Sequence, residues 1–238
     1  MAPPRCLDRA LVATRVTGMS DLAQDPGERF DRVRPDGSPL GRTKARADVH
    51  RDGDWHRSVH VWVSGLGEDS RPFLLFQRRG LTKDTWPGRL DATVGGHYRA
   101  GEGLDDALRE VEEEIGVTVS RRELRPLGVR LCVNESEAGI RDHELQEIFL
   151  LRDDRALSAY RPHPVELAAL VRLPIMPLLD LLSGADERMT AQVVTPGTDT
   201  MTTSTITADD FIPSVDRYFY RAGIAAAAAL RGDRHIAV

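Results

Sequence analysis

The sequence predicts an α/β fold, an α/β/α sandwich with a mixed sheet and a C-terminal helical extension, and three observations predict it. Apolar or β-branched runs of strand length recur along the chain with few helical segments between them. Residues 95–117 pass from glycines into a helical pattern, in which Leu104, Ala107, Leu108, Val111 and Ile115 share a narrow arc at about 100° per residue. Helical periodicity then returns over residues 208–231. With 238 residues, 41% hydrophobic and 29% charged, the chain can bury the core of one domain with an extension.

Taken in order, residues 1–18 carry Arg5, Arg9 and Arg15 against Asp8 and lack the long apolar stretch of a signal peptide. Met19 reads as the better start, with 1–18 disordered or upstream of the true start, and an Arg-rich organelle-targeting peptide as the alternative. Residues 19–46 form an N-terminal segment in which Pro35-Asp36-Gly37 marks a small β-hairpin. Residues 50–60 lead into a central strand at 59–63, and 73–76 form a second strand with Arg78 and Arg79 at its exit. After the turn-rich loop 83–88, a short strand at 90–94 delivers the chain to the glycine turn, and Gly116 stops the helix.

Downstream, 127–133 and 145–151 read as strands joined by the polar stretch 134–143, and 167–172 as a strand or bridging piece. Residues 175–182 read as a short helix, with Pro177 near its start and Gly184 beyond its end. The Thr-rich stretch 190–207 is a loop or hairpin. In 208–231, Phe211, Val215, Tyr218, Phe219 and Ala222 keep a 3–4 spacing, and the alanines after them favour helix. That helix is read as packing or as a contact between two copies, so a homodimer is among the expected partners. The domain proper is placed at 47–183 and the extension at 184–238.

A net charge of −5 with dispersed arginines does not suggest a general nucleic-acid binder. Cys6 and Cys132 form no CxxC pair, which indicates neither a disulfide scaffold nor a zinc ribbon and favours a reducing, cytoplasmic setting. No apolar run approaches the roughly 18 residues needed to cross a bilayer, so no membrane partner is expected.

The chemistry is concentrated in the helix after the glycine turn. Glu110, Glu113 and Glu114 have the i, i+3, i+4 spacing that brings three carboxylates together, while Glu112 points to the other flank. Such repulsion needs solvent, arginines or a divalent cation to offset it, and hard oxygen ligands suit Mg²⁺ or Mn²⁺.

Gly96, Glu102, Arg109, Glu110, Val111, Glu113, Glu114, Gly116 and Val117 together resemble the signature of the Nudix hydrolases, with six residues between Glu102 and Arg109 where the family pattern has seven. The resemblance implies that Glu110, Glu113 and Glu114 bind the metal with the carbonyl of Gly96, and that Arg109 orients a carboxylate by a bidentate contact. A further acid comes from outside the signature. Strand parity turns only one of Glu144 and Glu147 toward the metal, and Glu144 is favoured. Arg78, Arg79 and Lys83 are the candidate phosphate-binding cations, and Trp86 walls the pocket or packs under its loop, with packing favoured.

Residues 83–88 followed by Gly95-Gly96-His97 are also similar to the isopentenyl-diphosphate-isomerase branch of this superfamily. Matched position by position, that branch's metal ligands correspond to His50, His56, His97, Asp142 and Glu144. Its catalytic cysteine position holds Gly95, and Cys132 reads as a buried small apolar residue. The resemblance therefore implies a Mg²⁺-dependent hydrolase that cleaves a phosphoanhydride in a small diphosphate-containing molecule, a nucleoside diphosphate-X or a prenyl diphosphate, by metal-activated water. The alternatives are an isomerase-like enzyme and a non-catalytic ligand-sensing or interaction domain.

Overall fold

The computed structural model describes residues 27–135, 139–198 and 200–238; the expectations for residues 1–18, the start of the 19–46 segment and Cys6 fall outside them. The chain opens with a hairpin of β1 (Arg29–Val33) and β2 (Pro39–Ala45), turning at Gly37. A short helix α1 (Arg46–Asp52) follows where no helix was expected. Only seven residues long, it carries too little periodicity to stand out from a polar stretch.

The main sheet contains β3 (Trp55–Leu66), β4 (Pro72–Arg79), β5 (Leu90–Asp91), β6 (Val94–His97), β7 (Leu124–Glu135), β8 (Arg141–Arg152), β9 (Leu167–Pro174), β10 (Met189–Val194) and β11 (Thr202–Ile206). Its path runs β11-β10-β9-β4-β3-β8-β7, with β5 on β4 and β6 on β3. The β3–β8 pair is parallel and the other pairs are antiparallel, which makes the sheet mixed. The 190–207 stretch is the β10–β11 hairpin, and its first strand joins β9, so residues after 184 extend the same sheet.

One edge of β3 changes partner along its length, pairing with β6 at Ser58–Val61 and with β4 at Val63–Leu66. At this split the Val63 amide donates to Thr93 Oγ1 (2.9 Å), and the Thr93 hydroxyl donates to the Leu75 carbonyl. A buried side chain thereby satisfies backbone groups that the divided ladder leaves over.

Helices cover both faces. On one, α2 (Leu104–Ala107) and α3 (Arg109–Ile115) set Ala107, Leu108, Val111 and Ile115 against Val59, Val61 and Val63 of β3. On the other, α4 (Ile175–Ser183) and α5 (Tyr218–Leu230) pack on Trp62, Leu74 and Phe76. The signature helix is thus interrupted at Leu108, and Gly95, Gly96 and His97 lie in strand β6 rather than in a turn. At the C-terminus the helix starts at Tyr218, ten residues later than the periodicity suggested. Phe211 is buried but precedes it, and Val215 is fully exposed. The aromatic spacing there comes from an irregular segment laid on the core.

Candidate active site

A cavity of about 1040 Å³ gathers residues from β3, β6, β7, β8, α3, the 83–86 loop and the segment before α5. Two clusters of ligand-type side chains lie at it, with Glu114 and His56 buried behind the residues that line it.

The first is the glutamate cluster. The main chain of β6 passes so close to α3 that a Cβ on Gly96 would stand 2.5 Å from Cδ of Glu110, so only glycine allows the contact. Arg109 bridges two carboxylates, donating from Nη1 to Glu102 Oε2 (2.9 Å) and from Nη2 to Glu110 Oε1 (2.6 Å). It makes one contact to each rather than a fork on one. Glu102 is in reach despite the shorter spacing, and it also accepts the Arg99 amide (2.8 Å). Burial, helped by Glu113 and Glu166 and opposed by Arg109, pushes Glu110 up to about 7. Glu114 lies deeper, accepts from Gln77 Nε2 (3.2 Å), and is pushed well up by burial and by Glu166. Glu113 is exposed on the cavity wall. Burying carboxylates against one another is costly unless a proton or a cation offsets the charge. This is a donor set suited to a hard divalent ion.

The second is a histidine cluster. Ligand atoms of His50, His56, His97 and Asp142 all lie within 4.8 Å of one another. Nε2 of His50 and of His56 and Oδ1 of Asp142 are buried without a hydrogen-bond partner, with the two nitrogens 3.6 and 3.4 Å from that oxygen. His97 Nε2 is also 2.9 Å from Glu144 Oε1. The His56 ring is set by the Asp54 carbonyl at its Nδ1 (3.0 Å), which leaves the Nε2 lone pair turned to the cluster. Arg46 Nη1 stands 3.2 Å from His97 Nδ1. A guanidinium only donates, so the proton of neutral His97 sits on Nε2 and must leave before that atom can take a metal. Burial, with Arg46 and neighbouring imidazoles adding to it, lowers His50 and His97 to about 3 and also lowers His56. Asp142 is pushed well up by burial and by Glu144. Burial works against the Glu144 charge too, but His97 outweighs it and holds that carboxyl well below the usual range. Three imidazoles with carboxylates suit a borderline transition metal.

Three residues here carry no motif-level signal. Phe30 of β1, fully buried, stacks on His56 (centroids 5.0 Å apart, planes 7° apart) and on His97 (4.8 Å). Glu166 pairs with Lys83 Nζ (3.0 Å) and adds a carboxylate near Glu110 and Glu114. His163, on the same wall, accepts the Val165 and Glu166 amides at Nδ1 (3.3 and 3.2 Å).

The expected cations separate. Arg79 and Lys83 line the cavity, with Arg79 held by Asp91 (3.1 Å) and Thr85. Arg78 is not on the cavity wall, because strand parity turns it to the Gly88 carbonyl (2.9 Å) and Asp210 (3.0 Å). Trp86 lines the cavity, with a left-handed backbone at φ 49°. On β8, Glu144 faces the cavity while Glu147 turns away to Arg57 (2.5 Å) and the Tyr98 hydroxyl (3.0 Å). Cys132 departs from the expectation of a core residue. Residues 130–134 of β7 all border the cavity, Arg130, Cys132 and Asn134 half-buried and Leu131 and Val133 exposed, and Cys132 stands opposite Glu144 in the register. Burial and Glu144 push its thiol up to about 12.

Comparison with known proteins bears on this arrangement. A family model described as NUDIX domain matches residues 54–193. A Nudix hydrolase of Clostridium acetobutylicum is 30% identical over 184 residues, covering 76% of this chain and 87% of that one. Nudix hydrolase 3 of Arabidopsis thaliana is 35% identical over 164 residues, 67% of this chain but only 21% of that much longer protein. An isopentenyl-diphosphate Delta-isomerase of Brevibacterium linens is 32% identical over 133 residues, 56% of this chain and 69% of that one.

Proposed function

Since this chain belongs to the NUDIX family of hydrolases, we propose that it hydrolyses a phosphoanhydride bond in a small diphosphate-containing molecule with Mg²⁺ or Mn²⁺. The observation that carries this reading is the glutamate cluster, in which half-buried Glu110 and buried Glu114 share their surroundings with Glu113 and Glu166, beside Gly96, where a Cβ would strike the Glu110 side chain.

Glu110, Glu113 and Glu114 with the Gly96 carbonyl would hold the ion, and Arg109 keeps Glu110 and Glu102 in register. When bound, the ion neutralises the diphosphate and lowers the pKa of a water so that attack on phosphorus is feasible near neutral pH. Arg79 and Lys83 position the phosphates. Asp91 and Glu166 hold the two cations in place. Glu144 supplies a further carboxylate to the same cavity.

A second reading, isomerisation of an allylic diphosphate, is favoured by the histidine cluster and by the Cys132 thiol opposite Glu144. The two readings part on products. Incubation with Mg²⁺ and a panel of nucleoside diphosphate-X and prenyl diphosphate compounds, followed by ³¹P NMR, is expected to show new monophosphate or phosphate signals. An isomerised product with its diphosphate intact would replace the first reading by the second.

A further inference from the structure

His60 belongs to neither metal cluster, yet it lines the same cavity. It stands opposite Gly95 in the β3–β6 register, and Gly95 is next along the strand to Gly96 and two residues before His97. The ring has two distinct edges. Nδ1 lies 2.9 Å from the hydroxyl of Tyr218, the first residue of α5. Nε2 and Cδ2 face Gly95, where a Cβ would lie 3.4 and 3.5 Å away.

The Tyr218 hydroxyl also accepts from Trp62 Nε1 at 2.9 Å. An indole N–H can only donate, so the tyrosine oxygen is an acceptor there, and its own hydrogen is left for Nδ1 of His60. The reverse arrangement, with Nδ1–H donating to the same oxygen, would strand a buried hydroxyl proton, which costs about 1–3 kcal/mol. The chain Trp62 to Tyr218 to His60 therefore fixes the neutral ring as its Nε2–H tautomer.

Tyr218 is itself held from several sides. Its amide donates to Ser214 Oγ (3.0 Å), and Arg217 before it takes a left-handed backbone at φ 56°. The Arg130 guanidinium sits 4.3 Å over its ring and is tied by Asp216 (2.7 Å).

We propose that His60 Nε2–H is a fixed, uncharged hydrogen-bond donor to a non-bridging oxygen of the substrate's diphosphate, and that Tyr218 is the positioning residue that selects this tautomer. The proposal rests on the diphosphate reading above. An uncharged donor in a cavity that also holds Glu110 and Glu144 adds affinity for the anion without drawing either into an ion pair, as an arginine there would.

The test uses the full chain with methylenediphosphonate and Mg²⁺ as a non-hydrolysed probe, so that binding is read whether or not any compound is turned over. ¹⁵N spectra of the ring nitrogens in the native protein are expected to show His60 protonated at Nε2, and Tyr218→Phe is expected to shift that population toward Nδ1–H. Calorimetry is expected to show about 10-fold weaker probe binding in His60→Met and in Tyr218→Phe, the loss of one hydrogen bond to a charged group. His60→Gln keeps an acceptor toward Tyr218 and an N–H toward the cavity, and it is expected to bind within about 3-fold of native. His60→Met and His60→Gln fill similar space, so a difference between them does not report folding. Native His60 protonated at Nδ1, equal probe binding in His60→Met and the native chain, or no probe binding by the native chain would each overturn the proposal. A phosphate-release assay on the same samples separates this failure from failure of the hydrolase reading, because that reading falls only if no diphosphate is cleaved.

Discussion

Gly95 and Gly96 are neighbours in one strand with opposite tolerances. A Cβ at Gly96 meets the Glu110 side chain at distances that real atoms do not adopt, whereas one at Gly95 meets His60 at ordinary contact distance. Gly96→Ala is therefore expected to displace Glu110 and to abolish metal-dependent turnover, while Gly95→Ala retains fold and metal binding; circular dichroism with Mg²⁺ or Mn²⁺ titrations of both variants checks this. Glu110 carries a prediction in pH. Its carboxyl is raised from 4.5 to about 7 in the folded chain, so the folded state binds that proton more tightly than the unfolded one. The contribution is present at low pH and is lost as pH rises through 4.5 to 7. His50 and His97 act with the opposite sign. They are lowered from 6.5 to about 3, so the stability they contribute is present above 6.5 and is lost as pH falls toward 3. With chelator present, Glu110→Gln is expected to raise Tm relative to native at about pH 8 and to lose that advantage at about pH 5. Equal Tm differences at both would contradict the assignment. The residue types of this site were legible because the carboxylates sit three and four apart on one helix, where spacing alone implies proximity.

Elements were less legible where their partners lie far away in sequence. The strands β3, β4, β7 and β9 and the second half of β8 announce themselves as apolar runs, but the glycine-rich β6, the break of the signature helix at Leu108 and the short helix α1 do not. Both are set by packing, and neither interrupts the apolar spacing. The β1–β2 hairpin shows the same gap. Its turn is written in Pro35-Asp36-Gly37, whereas the role of Phe30 as a lid on His56 and His97 depends on contacts across 26 and 67 residues. Phe30→Leu keeps an apolar plug of smaller size and removes the stacking plane. It is expected to cost about 1–2 kcal/mol of stability and to weaken binding of a transition metal, read by Zn²⁺ or Mn²⁺ calorimetry, while leaving Mg²⁺-dependent turnover within a few fold. A large loss of turnover with unchanged Zn²⁺ and Mn²⁺ binding would show that the hairpin serves the glutamate cluster instead. The C-terminal helix offers the converse lesson, since its aromatic pattern implied packing and gave no sign that Tyr218 reaches His60, a contact between residues 158 apart.

The molecule as a whole places a carboxylate cluster and an imidazole cluster on the walls of one cavity. Ligand softness separates them. The glutamates suit Mg²⁺, and the three histidines suit a transition metal. His56→Gln is accordingly expected to remove the tight site for Zn²⁺ or Mn²⁺ while Glu113→Gln retains it, and metal stoichiometry by calorimetry checks both. Among the described residues no helix is long and apolar enough to cross a membrane. Phosphate release from diphosphate compounds with Mg²⁺, native chain against Glu113→Gln, decides whether the helix carboxylates serve turnover. Glu113 is exposed on the cavity wall, so its substitution leaves the core untouched. Turnover by the native chain that falls about 100-fold or more in the variant is the predicted result, the loss of a group that acts on transition-state charge. Equal turnover in the two proteins would contradict the account.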